Sequence, residues 1–322
     1  MKILAALATA MVIGPVWAGS VWAQAYPNKA VRIIVPFSAG GSFDITSRIL
    51  AQRMGPALGQ NVLVENRPGA GGIVGTEYVS RLPADGYTLL AVGPSFIINP
   101  ALRAKSPFDP AKDFKAVSQT IAMAMAIAVT STMPVKSLQE LIALARSRPG
   151  EIAYGTPGPG TIQHLLGEQF GLVTKAKFVH APYQGGAPAA VATAGGHSPM
   201  LLGNVVLMSP FIKSGKLRLL AVTSPQRDDL VPGVPTMREA GYPALEATNW
   251  SGMVIASAVP ADIVARLNAE IVRTLNLAEV RDLLKAQAIH ATPSTPEEFA
   301  TLLRTDAARY ARIARVANVK VD

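Results

Sequence analysis

The sequence predicts an α/β protein built in two domains, and three observations carry that reading. Short β-branched runs alternate with helical patterns from Val31 onward, the alternation comes in two successive series, and 322 residues suffice for about two domains of ordinary size.

The elements follow in order. Val31 to Val35 reads as a buried strand stopped by Pro36, Ser42 to Met54 as a helix, and Asn61 to Glu65 as a strand. Gly71 to Arg81 reads as a helix and Tyr87 to Val92 as a strand, an order that implies a mostly parallel sheet. Pro94 to Lys115 is rich in breakers and reads as loop. In the second series Ala126 to Thr130 is a strand, and Ser137-Leu138-Gln139-Glu140 is a capping box that opens a helix stopped by Pro149-Gly150. Strand Ile152 to Tyr154, helix Thr161 to Gly171, strand Lys177 to Ala181, helix Gly186 to Ala194 and strand Leu217 to Thr223 follow. Ile263, Leu267, Ile271 and Leu275 share one helical face, and Thr295-Pro296-Glu297-Glu298 caps a last helix. No flexible linker separates the two series, so the chain is expected to cross between the domains more than once.

The first 23 residues read as an export signal. Lys2 precedes an apolar run from Ile3 to Ile13, Gly14-Pro15 breaks it, and small residues place cleavage after Ala23. The run is too short for a spanning helix of about 20 residues, and no cysteine follows it to carry a lipid. Removing 23 residues, one lysine among them, leaves 299 residues and lowers the net charge from +9 to +8. With 49% hydrophobic and 16% charged residues the chain is not disordered, and with no cysteine it has no disulfide framework, thiolate metal site or cysteine nucleophile.

Glycine-rich loops between a strand and a helix carry whatever chemistry there is. Pro36-Phe37-Ser38-Ala39-Gly40-Gly41-Ser42-Phe43-Asp44 either cradles an anion with backbone N–H groups at a helix start, or is only a turn with Ser42 or Asp44 as a cap. Asn66 to Gly75 fails the dinucleotide fingerprint at Val74, and a plain turn is favoured there over a second anion loop. Tyr154-Gly155-Thr156-Pro157-Gly158-Pro159-Gly160-Thr161 repeats the strand–loop–helix design in the second series, with His164 one turn on as either a ligand group or a partly buried or surface histidine without a ligand. In His180 to Pro188, Tyr183 is either a pocket wall or a core aromatic. One such loop per domain suits a cleft that grips an anion from both sides. No nucleophile elbow, paired metal-ligand histidines or P-loop is present, which argues against an enzyme. The arginines near the end lack interleaved aromatics, which argues against nucleic acid.

Taken in order, VRIIVPFSAGGSFDITSRIL, VENRPGAGGIVGTEYVSR, YGTPGPGTIQHLLGEQF, HAPYQGGAPAA, IKSGKLRLLAVTS and VPTMREAGYP resemble the Bug family, the solute-binding proteins of tripartite tricarboxylate transporters, from about Pro27 to the end. The resemblance implies a two-lobed periplasmic binding protein of type II with its ligand in the interdomain cleft. Its lobes would be residues 24–122 with 248–322, and residues 123–247. It implies a small carboxylate as ligand and membrane permease subunits as partners. It implies no cofactor, and a monomer. A docked receptor or sensor kinase is the alternative partner. The implied ligand-binding residues are Phe37, Ser38, Ala39, Gly40, Gly41 and Asp44 in the first loop, Ser95, then Thr156, Gly158, Gly160, Thr161 and His164. Tyr183, Gly185 and Asn204 complete the set. One stretch departs from the family pattern: where two aspartates are usual, Pro199 and Gly203 stand here. Either that wall lacks the acids to pair an ammonium, and the expected ligand is an acid without an amine, an aromatic one included given Phe43 and Met200-Leu201-Leu202, or positions 199 and 203 face the core and say nothing of the ligand.

Overall fold

A computed structural model describes residues 26–103, 105–287 and 289–319. The export signal and its cleavage after Ala23 lie outside the described residues.

Six strands lead directly into a helix, five of them through a loop and the last with none. These units are β1 (Val31–Val35) with α1 (Ser42–Leu58), β2 (Val62–Asn66) with α2 (Ile73–Ser80), and β3 (Thr88–Val92) with α3 (Ser95–Leu102). After a long strand, β4 (Phe114–Thr130), and α4 (Leu138–Ser147) come β5 (Ile152–Thr156) with α5 (Ile162–Thr174), β6 (Phe178–Pro182) with α6 (Gly186–Ala194), and β7 (Met200–Asn204) with α7 (Val205–Lys213). Strand β8 (Leu217–Val222), a second long strand β9 (Thr248–Ala256), helices α8 (Ala261–Leu275) and α9 (Ala278–Lys285), the short β10 (His290–Ala291) and α10 (Pro296–Val316) complete the chain.

The strands form one sheet with two arms. In the first lobe β1 pairs in parallel with β2 and β3, and in the second β5 pairs in parallel with β6 and β7. The sheet, expected to be mostly parallel, is mixed, because antiparallel β4 and β9 join the arms. Strand β4 changes partners along its length: Phe114 to Ala124 pair with β9, and from Met125 onward it pairs with β7 and β8.

Only the last third of β4 was legible as strand. Bulges between Ala116 and Ser118 and between Gln119 and Ile121 break the two-residue period of its first part. Beyond them the alternation is clean. Met125, Ile127 and Val129 face the large core, while Ala124, Ala126 and Ala128 face a smaller one under α6 and α7. A third core lies between the first arm and α1, α8 and α9, with Val31, Ile33 and Val35 opposite Leu50, Leu267 and Ile271.

The stretch from Pro94 to Lys115 is not loop throughout: α3 opens directly after Pro94 and buries Phe96, Ile97, Ile98 and Asn99. Pro94 sits at the N-cap, where a missing N–H costs nothing. The first capping box is only half formed. Ser137 accepts from Glu140 N, but the Glu140 carboxylate takes the N–H of Lys136. The second is complete, with Thr295 and Glu298 bonding reciprocally.

Helix α10 is clamped by one buried polar contact. The Trp250 indole N–H donates to Asp306 Oδ2 at 2.8 Å, with Phe299 packed edge-on against the same indole. Asp306→Leu strands that N–H in the core and should cost about 1–3 kcal/mol by denaturant unfolding, whereas Asp306→Asn, which keeps an acceptor, should cost less.

Candidate functional site

The carboxyl ends of β1, β2, β3, β5, β6 and β7 meet across a cleft of about 400 Å³ between the two arms. Each of the six helices that follow supplies the wall from its N-cap or first turn. These residues are Phe43 of α1, Gly72 before α2, Ser95 of α3, Thr161 to Gln163 at α5, Gly185 and Gly186 at α6, and Asn204 before α7. No lining residue carries a charge. The positive ends of six helix dipoles therefore converge on one uncharged space.

The helix starts are poorly capped from within. Gly41, Gly72, Pro94, Gly185 and Asn204 give no side-chain hydrogen bond to their helices; only Thr161 does, accepting from His164 N at 3.3 Å. Uncapped first-turn N–H groups facing a cleft need an acceptor, and a carboxylate can supply several at once. Each charge-assisted hydrogen bond of that kind is worth about 1.5–3 kcal/mol.

Of the residues singled out from the sequence, Phe37, Ser38, Ser95, Thr161, Gly185 and Asn204 line the cleft. Ala39, Gly40 and Gly41 form the exposed shoulder of the first loop. Asp44 stands behind that shoulder, buried, accepting from Gly40 N at 2.9 Å, Arg48 Nε at 3.0 Å and Asn66 Nδ2 at 2.9 Å. Burial by itself would push its carboxyl up, but the bonds from Arg48, Gly40 and Asn66 outweigh that and hold it below the usual carboxylate range. Asn66 also donates to Phe37 O, so β2 pins the loop after β1.

Thr156, Gly158, Gly160 and His164 form the back of the second-lobe loop rather than its cleft face. The Tyr183 ring packs over Gly155 with the alanine-rich core, so it is the core aromatic of the two readings. Met200, Leu201 and Leu202 are buried in the cores and do not line the cleft; Leu207 does.

Sequence reasoning missed three features. The loop from Pro68 to Gly72, read as a turn, is cleft wall. Asn204, Gln163 and Asn249 form an amide cluster, Asn204 Oδ1 accepting from Gln163 Nε2 at 3.3 Å and Asn249 Nδ2 at 3.2 Å. Asn249 belongs to β9, which showed no signal of its own. Third, buried Asn99 of α3 donates to Gly71 O at 3.1 Å in the first lobe and abuts Gly160 of the second. It had been hidden in the presumed loop.

Comparison with known proteins places this architecture. A family model described as the tripartite tricarboxylate transporter family receptor matches residues 46–319. The chain belongs to that family. BugT of Bordetella pertussis is 34% identical to this receptor over 317 residues, covering 98% of this chain and 96% of BugT. An R. palustris protein solved with adipate superimposes with a TM-score of 0.83 at 30% identity, covering 92% of this chain and 99% of that one. MatC of Rhodopseudomonas palustris, solved with malate, gives 0.79 at 28% identity over 89% and 99% of the two chains. The receptor's fold is that of periplasmic binding proteins, and its family is one of substrate-binding receptors, not enzymes.

Three outcomes check the wall. Asp44→Ala releases Gly40 and Asn66 and should cost about 1.5–3 kcal/mol in chemical denaturation. Gly160→Ala puts a Cβ 2.5 Å from Asn99 Oδ1 at a φ of +72°, and should weaken ligand binding about tenfold or more by calorimetry. Gly41→Ala, whose Cβ meets nothing nearer than 3.8 Å, should bind normally.

Proposed function

We propose that this receptor is a periplasmic protein that captures a small amine-free carboxylate between its lobes and delivers it to the membrane subunits of a tripartite tricarboxylate transporter. The observation that carries the reading is the uncharged cleft walled by the N-terminal ends of six helices. Its donors suit a carboxylate, and it offers no carboxylate of its own to an ammonium. Pro199 lies outside the lining, and Gly203 is buried with its open side against Met208. Phe37 and Phe43, ring centroids 4.6 Å apart, give the wall an apolar patch for the ligand's carbon skeleton, aliphatic or aromatic. The relatives solved with adipate and malate are both bound to amine-free acids, which supports the same class here.

On this reading residues 1–23 are removed on export and the mature chain works as a monomer. Residues 24–122 with 248–322 form one lobe and residues 123–247 the other. The change of β4 partners between Ala124 and Met125 supports that division. Hinge motion along β4 and β9 closes the lobes on the ligand, and the permease reads the closed form.

Isothermal calorimetry of the mature protein with paired acids tests this directly. Glutarate, succinate, adipate and benzoate are set against glutamate and aspartate. At least one amine-free acid should bind, and each amino acid should bind at least about tenfold more weakly than its amine-free counterpart, an uncompensated ammonium costing more than 1.4 kcal/mol. Tight binding of glutamate or aspartate with no binding of the simple acids would overturn the reading.

A further inference from the structure

Two histidines stand directly behind the Pro157–Thr161 loop without lining the cleft. His164, on α5, and His180, on β6, stack with ring centroids 3.9 Å apart and planes 12° from parallel. Each ring holds one glycine of the loop. Gly160 N donates to His164 Nδ1 at 3.3 Å, so that nitrogen carries no proton, and Nε2–H points toward Glu168 Oε1 at 4.0 Å. Gly158 N donates to Thr156 Oγ1 at 3.2 Å, and Thr156 Oγ1 in turn lies 2.6 Å from His180 Nε2. Thr156 is fully buried, and among the described residues that ring nitrogen is the acceptor within reach of its hydroxyl proton.

Gly160 thus rests directly on an unprotonated imidazole nitrogen, and Gly158 rests on one through the Thr156 hydroxyl. A proton on His164 Nδ1 would face the Gly160 N–H, donor against donor. A proton on His180 Nε2 would leave the buried Thr156 hydroxyl without an acceptor. The stack adds a second constraint, since two imidazolium rings at this distance repel. The titratable groups facing the pair are Tyr154 on β5, whose hydroxyl donates to Glu168 Oε1 at 2.5 Å, and Glu168 itself on α5.

We infer that His164 and His180 are positioning residues that hold the second-lobe binding loop only while both rings are neutral, so that acid loosens the carboxylate site from that side. The inference rests on the carboxylate-cleft reading above. Neither ring touches the ligand; each acts through a glycine whose neighbours, Pro157 and Thr161, do line the cleft. The electrostatics agree with the geometry. Burial lowers both imidazoles, His164 further lowers His180 to about 4, and Glu168 partly restores His164. A histidine depressed in the folded state contributes its full stability above its ordinary value of 6.5 and loses it as the pH falls toward 4.

The test uses the mature chain and two variants with non-titrating acceptors. Asn at position 164 offers Oδ1 where His164 offers Nδ1, and Gln at 180 offers Oε1 where His180 offers Nε2. In ligand-free protein at neutral pH, ring-nitrogen NMR should find the Nε2–H tautomer at His164 and Nδ1–H at His180. As the rings protonate, the Gly158 and Gly160 amide signals should move with them; in the double variant His164→Asn/His180→Gln, these amides should not titrate while thermal melting stays cooperative. The opposite tautomers, or glycine amides that ignore the protonation of the rings, would overturn the inference. These readouts need no ligand, so they fail separately from the carboxylate reading. With the tightest acid of the calorimetric series as probe, the affinity of wild type relative to the double variant should fall about twofold or more between pH 7 and 4, where half of the His180 rings carry a proton. Parallel curves for the two proteins would show a structural role only and contradict it.

Discussion

Backbone N–H groups at the start of a helix have no partner within that helix, and here six such starts are brought to one place by six strands that end side by side. Much else in the site follows from that constraint. The loops are short and glycine-rich because the backbone, not side chains, must face the ligand. The caps that stabilise helices elsewhere are mostly missing. Away from the cleft Ser137 and Thr295 cap α4 and α10 while α8 and α9 go without; at five of the six cleft helices that position holds glycine, proline or an asparagine whose amide oxygen is bonded to Gln163 and Asn249 instead of the helix. Those helix ends are left for an anion to complete.

Leaving donors uncommitted requires that the loops be held from behind. In the first lobe a buried, charged Asp44 ties Gly40, Arg48 and Asn66 together, so its charge serves the loop and stays out of the cleft. In the second lobe neutral imidazoles and Thr156 hold Gly158 and Gly160. Asn99 stands between the lobes, bonded to Gly71 and pressed against Gly160, so the two loops share one contact point. An acid can thus be held by dipoles and hydrogen bonds alone, in a low-dielectric space where such donors are strong.

The strand–loop–helix units were legible wherever one face of each element is apolar and a glycine pair follows a β-branched run. That covers β1, α1, β5, α5 and α6, and with them most of the cleft's glycine loops. For three of the elements that escaped the physical reason is plain. Helix α3 is eight residues long, opened by Pro94, carries Pro100 within it and is buried nearly all round, so it has no amphipathic period. Strand β4 carries two bulges, and β9 places Asn249, Trp250 and Ser251 where a simple alternation would put apolar residues. Asn249 and Asn99 reach the site only through these elements, so no local pattern could announce them. Asp44 was visible as a residue but not as a support, because it lies on α1 and its partner Asn66 on β2. The excess of lysine and arginine contributes nothing to the cleft lining.

The central claim is that backbone donors from both lobes, and no side-chain charge, hold the ligand's carboxylate. Amide proton NMR of the mature receptor, free and saturated with its tightest-binding acid, measures this most directly. The account predicts downfield shifts, the mark of hydrogen bonds formed to a carboxylate, at first-turn amides of helices in both arms, among them those of α1 or α2 and of α5 or α6. Shifts confined to one lobe, or first-turn amides left unmoved while an arginine or lysine side chain responds, would contradict it.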